Sequence, residues 1–393
     1  MTSSPRPVIV GALRTPIGTA GHGLRDVEPH DLAAPVLRAL AADPVLVGRP
    51  VDQVVLGNCT GPGGDVARVA VLAAGLDVAV PAVTVDAQCG SGLNAIEVAH
   101  DRVVARGGLV LCGGVESAST APRRTWPAGH PRARAGAGYE DVVFTRAPFS
   151  TDAHGDPDMG YANDLLASRY GIGRQAQDAY AARSHARAYA AREAGGFDNE
   201  VIAVAGLSRD ERPREGMTVE RLARLRPTYR TAEEGGTVTA GNACGINDGA
   251  AAVAMVDDDL HRRLGAPPGL RVHAVATCGV HPTTPGVGPV PAIRGVLSES
   301  GVDLDALHAI EINEAFAGQV LACCADLDLD PERVCADGGA IGLGHPWGAS
   351  GAVLVVRLFS RLVRDPDVPV GAWGLAAIAV GGGQGVAMLL ERV

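Results

Sequence analysis

The stretch Thr84-Val85-Asp86-Ala87-Gln88-Cys89-Gly90-Ser91-Gly92-Leu93-Asn94-Ala95-Ile96 joins a β-branched run to an apolar-periodic segment through a cysteine and two close glycines. Leu93, Ile96, Ala99 and Val103 recur at helical spacing, so the order is strand, tight turn, helix. A thiol at such a turn lies where unpaired helix N–H groups favour its thiolate, and the glycines let a substrate carbonyl approach. Cys89 is therefore a candidate nucleophile, set against the plainer reading of a small buried apolar residue.

Outward from that turn, the second half of the chain repeats the first. A strand over 309–312 ends at Asn313 as one over 51–56 ends at Gly57-Asn58. Ser350-Gly351 opens an apolar helix as Ser91-Gly92 does, and Ile378-Ala379-Val380 runs into Gly381-Gly382 as Leu109-Val110-Leu111-Cys112 runs into Gly113-Gly114. Three matches in the same order at similar offsets indicate an internal duplication. Two βαβ-type halves then pack face to face, with strand C-terminal ends meeting at one crevice. This arrangement puts Gly344-His345-Pro346 at the position equivalent to the Cys89 turn. His345 can take the thiol proton and return it, Asn313 can hold a water or donate to a carbonyl oxygen, and Gly381-Gly382-Gly383 can bring N–H groups near Cys89.

The bulk composition fits an α/β protein with many short turns: 393 residues, 47% hydrophobic, 20% charged, 52 glycines and 26 prolines. A net charge of -10, without a basic stripe, argues against a nucleic-acid partner. Arg123, Arg124, Arg132, Arg134 and Arg146 gather in one region, which either receives a phosphate or acidic carrier or is a solvated loop. There is no lysine, so all 34 basic residues are arginine, which excludes Schiff-base and phosphate-loop lysine chemistry. Eight cysteines without CxxC spacing suggest free thiols in a reducing compartment. No run reaches membrane-spanning length and 1–10 has no leader pattern, so a cytoplasmic location with no membrane partner is expected.

In chain order, the pattern predicts a strand over 8–10, a loop over 11–18, a helix over 31–42 capped by Asp31, and a helix over 66–74. The character changes over 119–160, with helices following at 165–170 and 174–194. Asp152, His154, Asp156 and Asp158 alternate there but lack the glycine and terminal glutamate of a calcium hand, which favours a polar surface loop. Gly342, Gly344 and Gly348 miss the dinucleotide-binding spacing.

With these residues in view, the chain resembles the thiolases over nearly its full length. The matching stretches are Arg14-Thr15-Pro16-Ile17-Gly18, Gln88 to Ala95, Gly113-Gly114-Val115-Glu116-Ser117, Thr239-Ala240-Gly241-Asn242-Ala243, Asn313-Glu314-Ala315-Phe316-Ala317, Gly338 to Pro346, and Gly381-Gly382-Gly383-Gln384-Gly385. The resemblance implies a five-layered αβαβα fold with an inserted loop domain: an N-terminal half at 1–118 completed by about 247–268, the insert at 119–246, and a C-terminal half at 269–393. It implies a homodimer or homotetramer acting on acyl-CoA or acyl-carrier thioesters, with no cofactor and no metal. By position, Cys89 resembles the acylated nucleophile, His345 its base and Asn313 the holder of an oxyanion-hole water, while the Cys89 and Gly381 N–H groups resemble the acyl-enzyme hole. Arg214, Cys244, Met159, Ala315 and Phe316 fall where the family binds substrate.

Three departures bear on the chemistry, one of them Cys244 in place of a common serine. The family's second cysteine, two residues before the glycine triplet, is here Ala379, and Asp158 stands where a histidine commonly precedes Met-Gly. The expected activity is acyl transfer through acyl-Cys89, forming or breaking a carbon–carbon bond with an altered proton-transfer set. The alternatives are transfer to an amine, hydroxyl, aromatic carbon or decarboxylating malonyl-type unit, and a non-catalytic subunit of a complex.

Overall fold

A computed structural model describes residues 6–134, 141–144 and 146–393, the side chains of 133 and 134 excepted. The first half contributes strands β1 (Val8–Arg14), β2 (Gln53–Gly57), β3 (Ala82–Val85), β4 (Leu109–Ser117) and β5 (Asn247–Val256). The second contributes β6 (Leu270–Gly279), β7 (Leu307–Ile312), β8 (Trp373–Val380) and β9 (Gln384–Arg392). The helices are α1 (Pro29–Ala41), α2 (Val66–Ala73), α3 (Ser91–Arg106), α4 (Met159–Arg169), α5 (Arg174–Glu193), α6 (Pro289–Ser300), α7 (Ala317–Leu327) and α8 (Trp347–Leu362).

The duplication is visible in the pairing. The first half orders its strands β3-β2-β4-β5-β1 and the second β7-β8-β9-β6. Each half has one matching parallel pair, and the remaining central pairs are antiparallel: β2/β4 matches β7/β8, β4/β5 matches β8/β9, and β5/β1 matches β9/β6. Where β3 flanks β2, Val334 makes a single parallel bridge to Ile310, a vestige of the same position. The halves join through a short β1/β6 ladder, Val8 to Arg271 and Ile9 to Leu270.

Strand sequences such as LVLCGGVES and WGLAAIAV are apolar on both faces because each sheet is covered on both sides. Ile378 and Val380 of β8 join Leu93, Ile96, Val355 and Leu358 of the central helices α3 and α8, whereas Leu375 and Ala377 face the outer helices α6 and α7. On the far side, Leu32, Leu37 and Val71 of α1 and α2 cover β2 and β4. The layers are therefore α1/α2, sheet, α3/α8, sheet, α6/α7. Between β4 and β5 the chain makes an excursion carrying the hairpin Arg124–Trp126/Val142–Phe144 together with α4 and α5. The buried Arg14 ties this excursion to β1 through Glu200 (2.7 Å) and a two-oxygen contact with Asp210 (2.6 and 2.8 Å).

Several sequence expectations are corrected. The first strand does not stop at Val10: a register shift between Ile9 and Gly11 lets it continue to Arg14, because Gly11 passes under Leu40, where a Cβ would come to 3.2 Å. The first helix starts at Pro29, with Glu28 as N-cap and Asp31 inside the first turn, since proline is preorganised for the helix start. The helix placed at 165–170 begins earlier, at Met159, where the Asp158 side chain caps it. Among the described residues no helix is long and apolar enough to cross a membrane.

Candidate active site

The turn carrying Cys89 is held by its own helix. Gln88 takes a left-handed φ of 52°, and the Ser91 hydroxyl donates to the Gln88 carbonyl (2.6 Å) while accepting the Ala87 N–H (2.8 Å). The Cys59 thiol donates to the same carbonyl at 3.0 Å. Glycines let the first turns of α3 and α8 touch: a Cβ on Gly92 would lie 2.7 Å from the Gly348 carbonyl oxygen, and one on Gly351 would lie 2.5 Å from the Leu93 nitrogen. Cys89 and His345 each stand two residues before one of these paired helices.

The Cys89 sulfur is acted on by its own N–H and by the Gly381 N–H, both of which favour the thiolate. Burial outweighs them, with smaller contributions from Cys244 and Glu116, and pushes the thiol up to about 12. That costs the thiolate on the order of 4 kcal/mol relative to its ordinary value, so the resting residue is a neutral thiol.

His345 is 2% exposed, and burial pulls its pKa down to about 4, so its imidazole is neutral. The Ser350 hydroxyl donates to the Pro346 carbonyl (3.1 Å), leaving its oxygen to accept the Nδ1 proton at 2.6 Å. This assigns the lone pair to Nε2, which has no partner among the described residues. The His345 N–H is fixed by the Asn247 side chain at 2.9 Å.

Asn313 ends β7, donating its N–H to the Ala377 carbonyl (2.9 Å), yet its buried Nδ2 has no partner among the described residues. Two residues on, Ala315 accepts the Cys244 N–H at 3.0 Å. Ala315, Phe316, Ala243, Val238 and Met159 form one apolar cluster, with the Tyr229 ring edge-on to Phe316 at 6.5 Å. Burial pushes the Cys244 thiol up to about 11, against the pull of Arg212.

The remaining predicted residues behave differently. Ala379 lies in β8 opposite Gly385. Arg214 and Asp158 are exposed, and Asp158 accepts the Gly160 N–H at 3.2 Å. Of the arginine group, Arg124 donates to the Cys59 carbonyl (3.0 Å) and Arg146 pairs with Asp156 (2.9 Å); Arg123 and Arg132 are exposed, and the Arg134 side chain lies outside the described residues.

Four residues escaped the sequence reading. Buried Glu116 accepts from Asn58, Thr60, the Cys59 N–H and the Gly348 N–H, locking the start of α8 to the first half. Arg212 donates to the Ile341 and Ala243 carbonyls beside Cys244, and only its position two residues before Arg214 hinted at it. Tyr229 lies over Gly160, where a Cβ would come 2.0 Å from its ring. Phe149 lies against Gly381 and had no sequence signal. Among the described residues no cluster of His, Cys, Asp and Glu is arranged to hold a metal ion.

A duplicated five-layer fold with a cysteine and a histidine at paired helix starts has clear relatives. The N-terminal thiolase domain model matches residues 7–259 and the C-terminal one 266–392, and the chain belongs to the thiolase family. YhfS of Bacillus subtilis is 41% identical over 98% of both chains. An acetyl-CoA acetyltransferase of Pseudomonas aeruginosa is 40% identical over 98% of this chain and 99% of its own. The crystal structure of the Bacillus anthracis acetyl-CoA acetyltransferase superposes with a TM-score of 0.90 at 36% identity over all of both chains.

Proposed function

We propose that the protein is an acyltransferase that loads an acyl group from an acyl-CoA thioester onto Cys89 and uses it to form, or in reverse to break, a carbon–carbon bond. The observation that carries this reading is the placement of Cys89 and His345 two residues before two helices whose first turns touch, with the Cys89 and Gly381 N–H groups acting on the sulfur. In this reading Cys89 Sγ attacks the thioester carbon and its proton passes to His345 Nε2. The two N–H groups receive the developing oxyanion. The bond to the coenzyme A sulfur breaks, and His345 returns the proton so that coenzyme A leaves as a free thiol. Relatives named acetyl-CoA acetyltransferase support acyl-CoA as the donor. The chemistry draws on no cofactor beyond the substrate's own coenzyme A, and a homodimer or homotetramer in the cytoplasm is the form we expect.

The second half-reaction needs a base, and Ala379 cannot serve. We assign that role to Cys244, whose thiol acts electrostatically on Cys89; burial pushes it up to about 11, and Arg212 beside it pulls part of the way back toward the thiolate. Asp158, exposed and capping α4, is the weaker substitute. A second reading is favoured by Ala379 alone: the acceptor is activated by decarboxylation, or is an amine, hydroxyl or aromatic carbon, and no second base is required.

Intact-protein mass spectrometry after mixing with a panel of acyl-CoAs tests the core reading. A stable adduct that is lost in Cys89→Ala is expected, and its absence with every donor would point to a non-catalytic subunit. Cys244→Ala should then retain the adduct but lose deuterium exchange at the α-carbon of acetyl-CoA, whereas unchanged exchange removes Cys244 as the base.

A further inference from the structure

Phe149 is half-buried and belongs to none of the apolar clusters that hold the layers together. Its ring lies on Gly381, where a Cβ would come 2.8 Å from Cδ2 and 2.9 Å from Cε2, and its carbonyl lies over Gly382, where a Cβ would come to 2.4 Å. The residue is held there by a polar strap. Both Asp156 carboxylate oxygens accept the Phe149 N–H at 3.3 Å, Arg146 pairs with Asp156, and the Arg146 guanidinium stacks over the Phe149 ring at 4.6 Å. Gly155, on the same strap, comes against Thr283, whose loop also closes on Gly383 through the Val280 N–H.

We propose that Phe149 is the end wall of the acyl pocket and restricts Cys89 to short acyl groups, acetyl and its near homologues. The inference rests on the acyl-Cys89 reading. With the acyl carbonyl oxygen at the Cys89 and Gly381 N–H groups, the alkyl substituent leaves the carbonyl carbon beside Gly381, and the ring in contact with that glycine stops it. An aromatic ring pinned by an ion pair cannot retreat as a free side chain would. An added methylene at such a wall is discriminated by about 10-fold or more.

The test is the single-turnover release of coenzyme A from acetyl-, butanoyl-, hexanoyl- and octanoyl-CoA, with the adduct on Cys89 followed by mass. Wild type should favour acetyl over octanoyl, and Phe149→Ala should raise the octanoyl-to-acetyl ratio by about 10-fold or more. Phe149→Trp, which preserves an aromatic surface for the strap, should lower butanoyl relative to acetyl and carries the test if the alanine variant does not fold. Equal acylation by acetyl and octanoyl in wild type, or ratios unchanged in both variants, overturns the wall while leaving acyl-Cys89 standing. No adduct from any donor in any form overturns the acyl-Cys89 reading, and the wall with it.

Discussion

The two halves place the same residue types at the same points and use them differently. Asn58 and Asn313 both close a strand. Asn58 spends its amide on the Val115 carbonyl and Glu116 and takes the Gly61 N–H, whereas the Nδ2 of Asn313 is buried without a partner among the described residues. Ser91 and Ser350 both turn back onto the chain before their helix, but Ser350 also receives the His345 ring. Gly113 and Gly114 admit the backbones of Ala251 and Gly348, while the Gly381 N–H acts on the Cys89 sulfur and favours its thiolate. In the first half these residues satisfy the fold. In the second, the same positions leave hydrogen-bonding capacity over for a substrate, and that surplus marks the site more clearly than residue identity does.

The largest effect should come from the base. His345→Ala should lower the rate of Cys89 acylation by about 1000-fold, read as the single-turnover release of coenzyme A, because His345 Nε2 is the group assigned to take the thiol proton. A rate within a few-fold of wild type would break the assignment of the second helix start to proton transfer. The nucleophile side of the comparison is sharpened by pH. With the Cys89 pKa raised to about 12, the thiolate is the minor form at every pH below that value and its share grows steadily as pH rises toward it. Alkylation by iodoacetamide should therefore climb about 10-fold per pH unit from 7 to 10 without a plateau. A plateau near pH 8 would mean that the amides, not burial, dominate.

The two asparagines separate stability from rate. Asn58→Ala removes one donor from buried Glu116 and leaves the Gly61 N–H without its acceptor, and should cost about 1–3 kcal/mol of stability. Asn313→Ala removes an amide whose Nδ2 has no partner among the described residues, so the thermal midpoint should hold while turnover falls by about 100-fold. Calorimetry and steady-state rates on the two variants check the contrast. Equal stability losses would make Asn313 structural.

The duplication, the paired helix starts and the placement of Cys89 and His345 beside them were legible in the sequence because glycines flag those turns, and Asn313 because it ends an apolar strand run. The roles of Ser350, Glu116, Arg212 and Phe149 were not. Ser350 read only as the opening of a helix, since its contact with His345 depends on which way the ring faces. Glu116 is one buried carboxylate in an apolar strand, and its four donor residues lie at separations no local pattern encodes. Phe149 lies in a stretch without periodicity, and its place is set by Asp156 and Arg146 across a loop. The strand end at Arg14 was hidden because Gly11 reads as a turn until Leu40 is seen packed over it. Long-range contacts decide such residues, and a strand or helix period carries no information about them.

The serines give the smallest and most discriminating contrast. Ser91→Ala removes two hydrogen bonds that hold the Gln88–Cys89 turn, so the thiol itself should be displaced. Ser350→Ala leaves that turn intact but frees the imidazole from its tautomer. Alkylation of Cys89 requires no base, and acylation does. Ser350→Ala should therefore slow acylation by about 10-fold while alkylation stays within about 2-fold of wild type, and Ser91→Ala should change both rates together. If Ser350→Ala alters alkylation as much as acylation, the two helix starts are mechanically one unit, and the division of nucleophile and base between the halves is a matter of residue type alone.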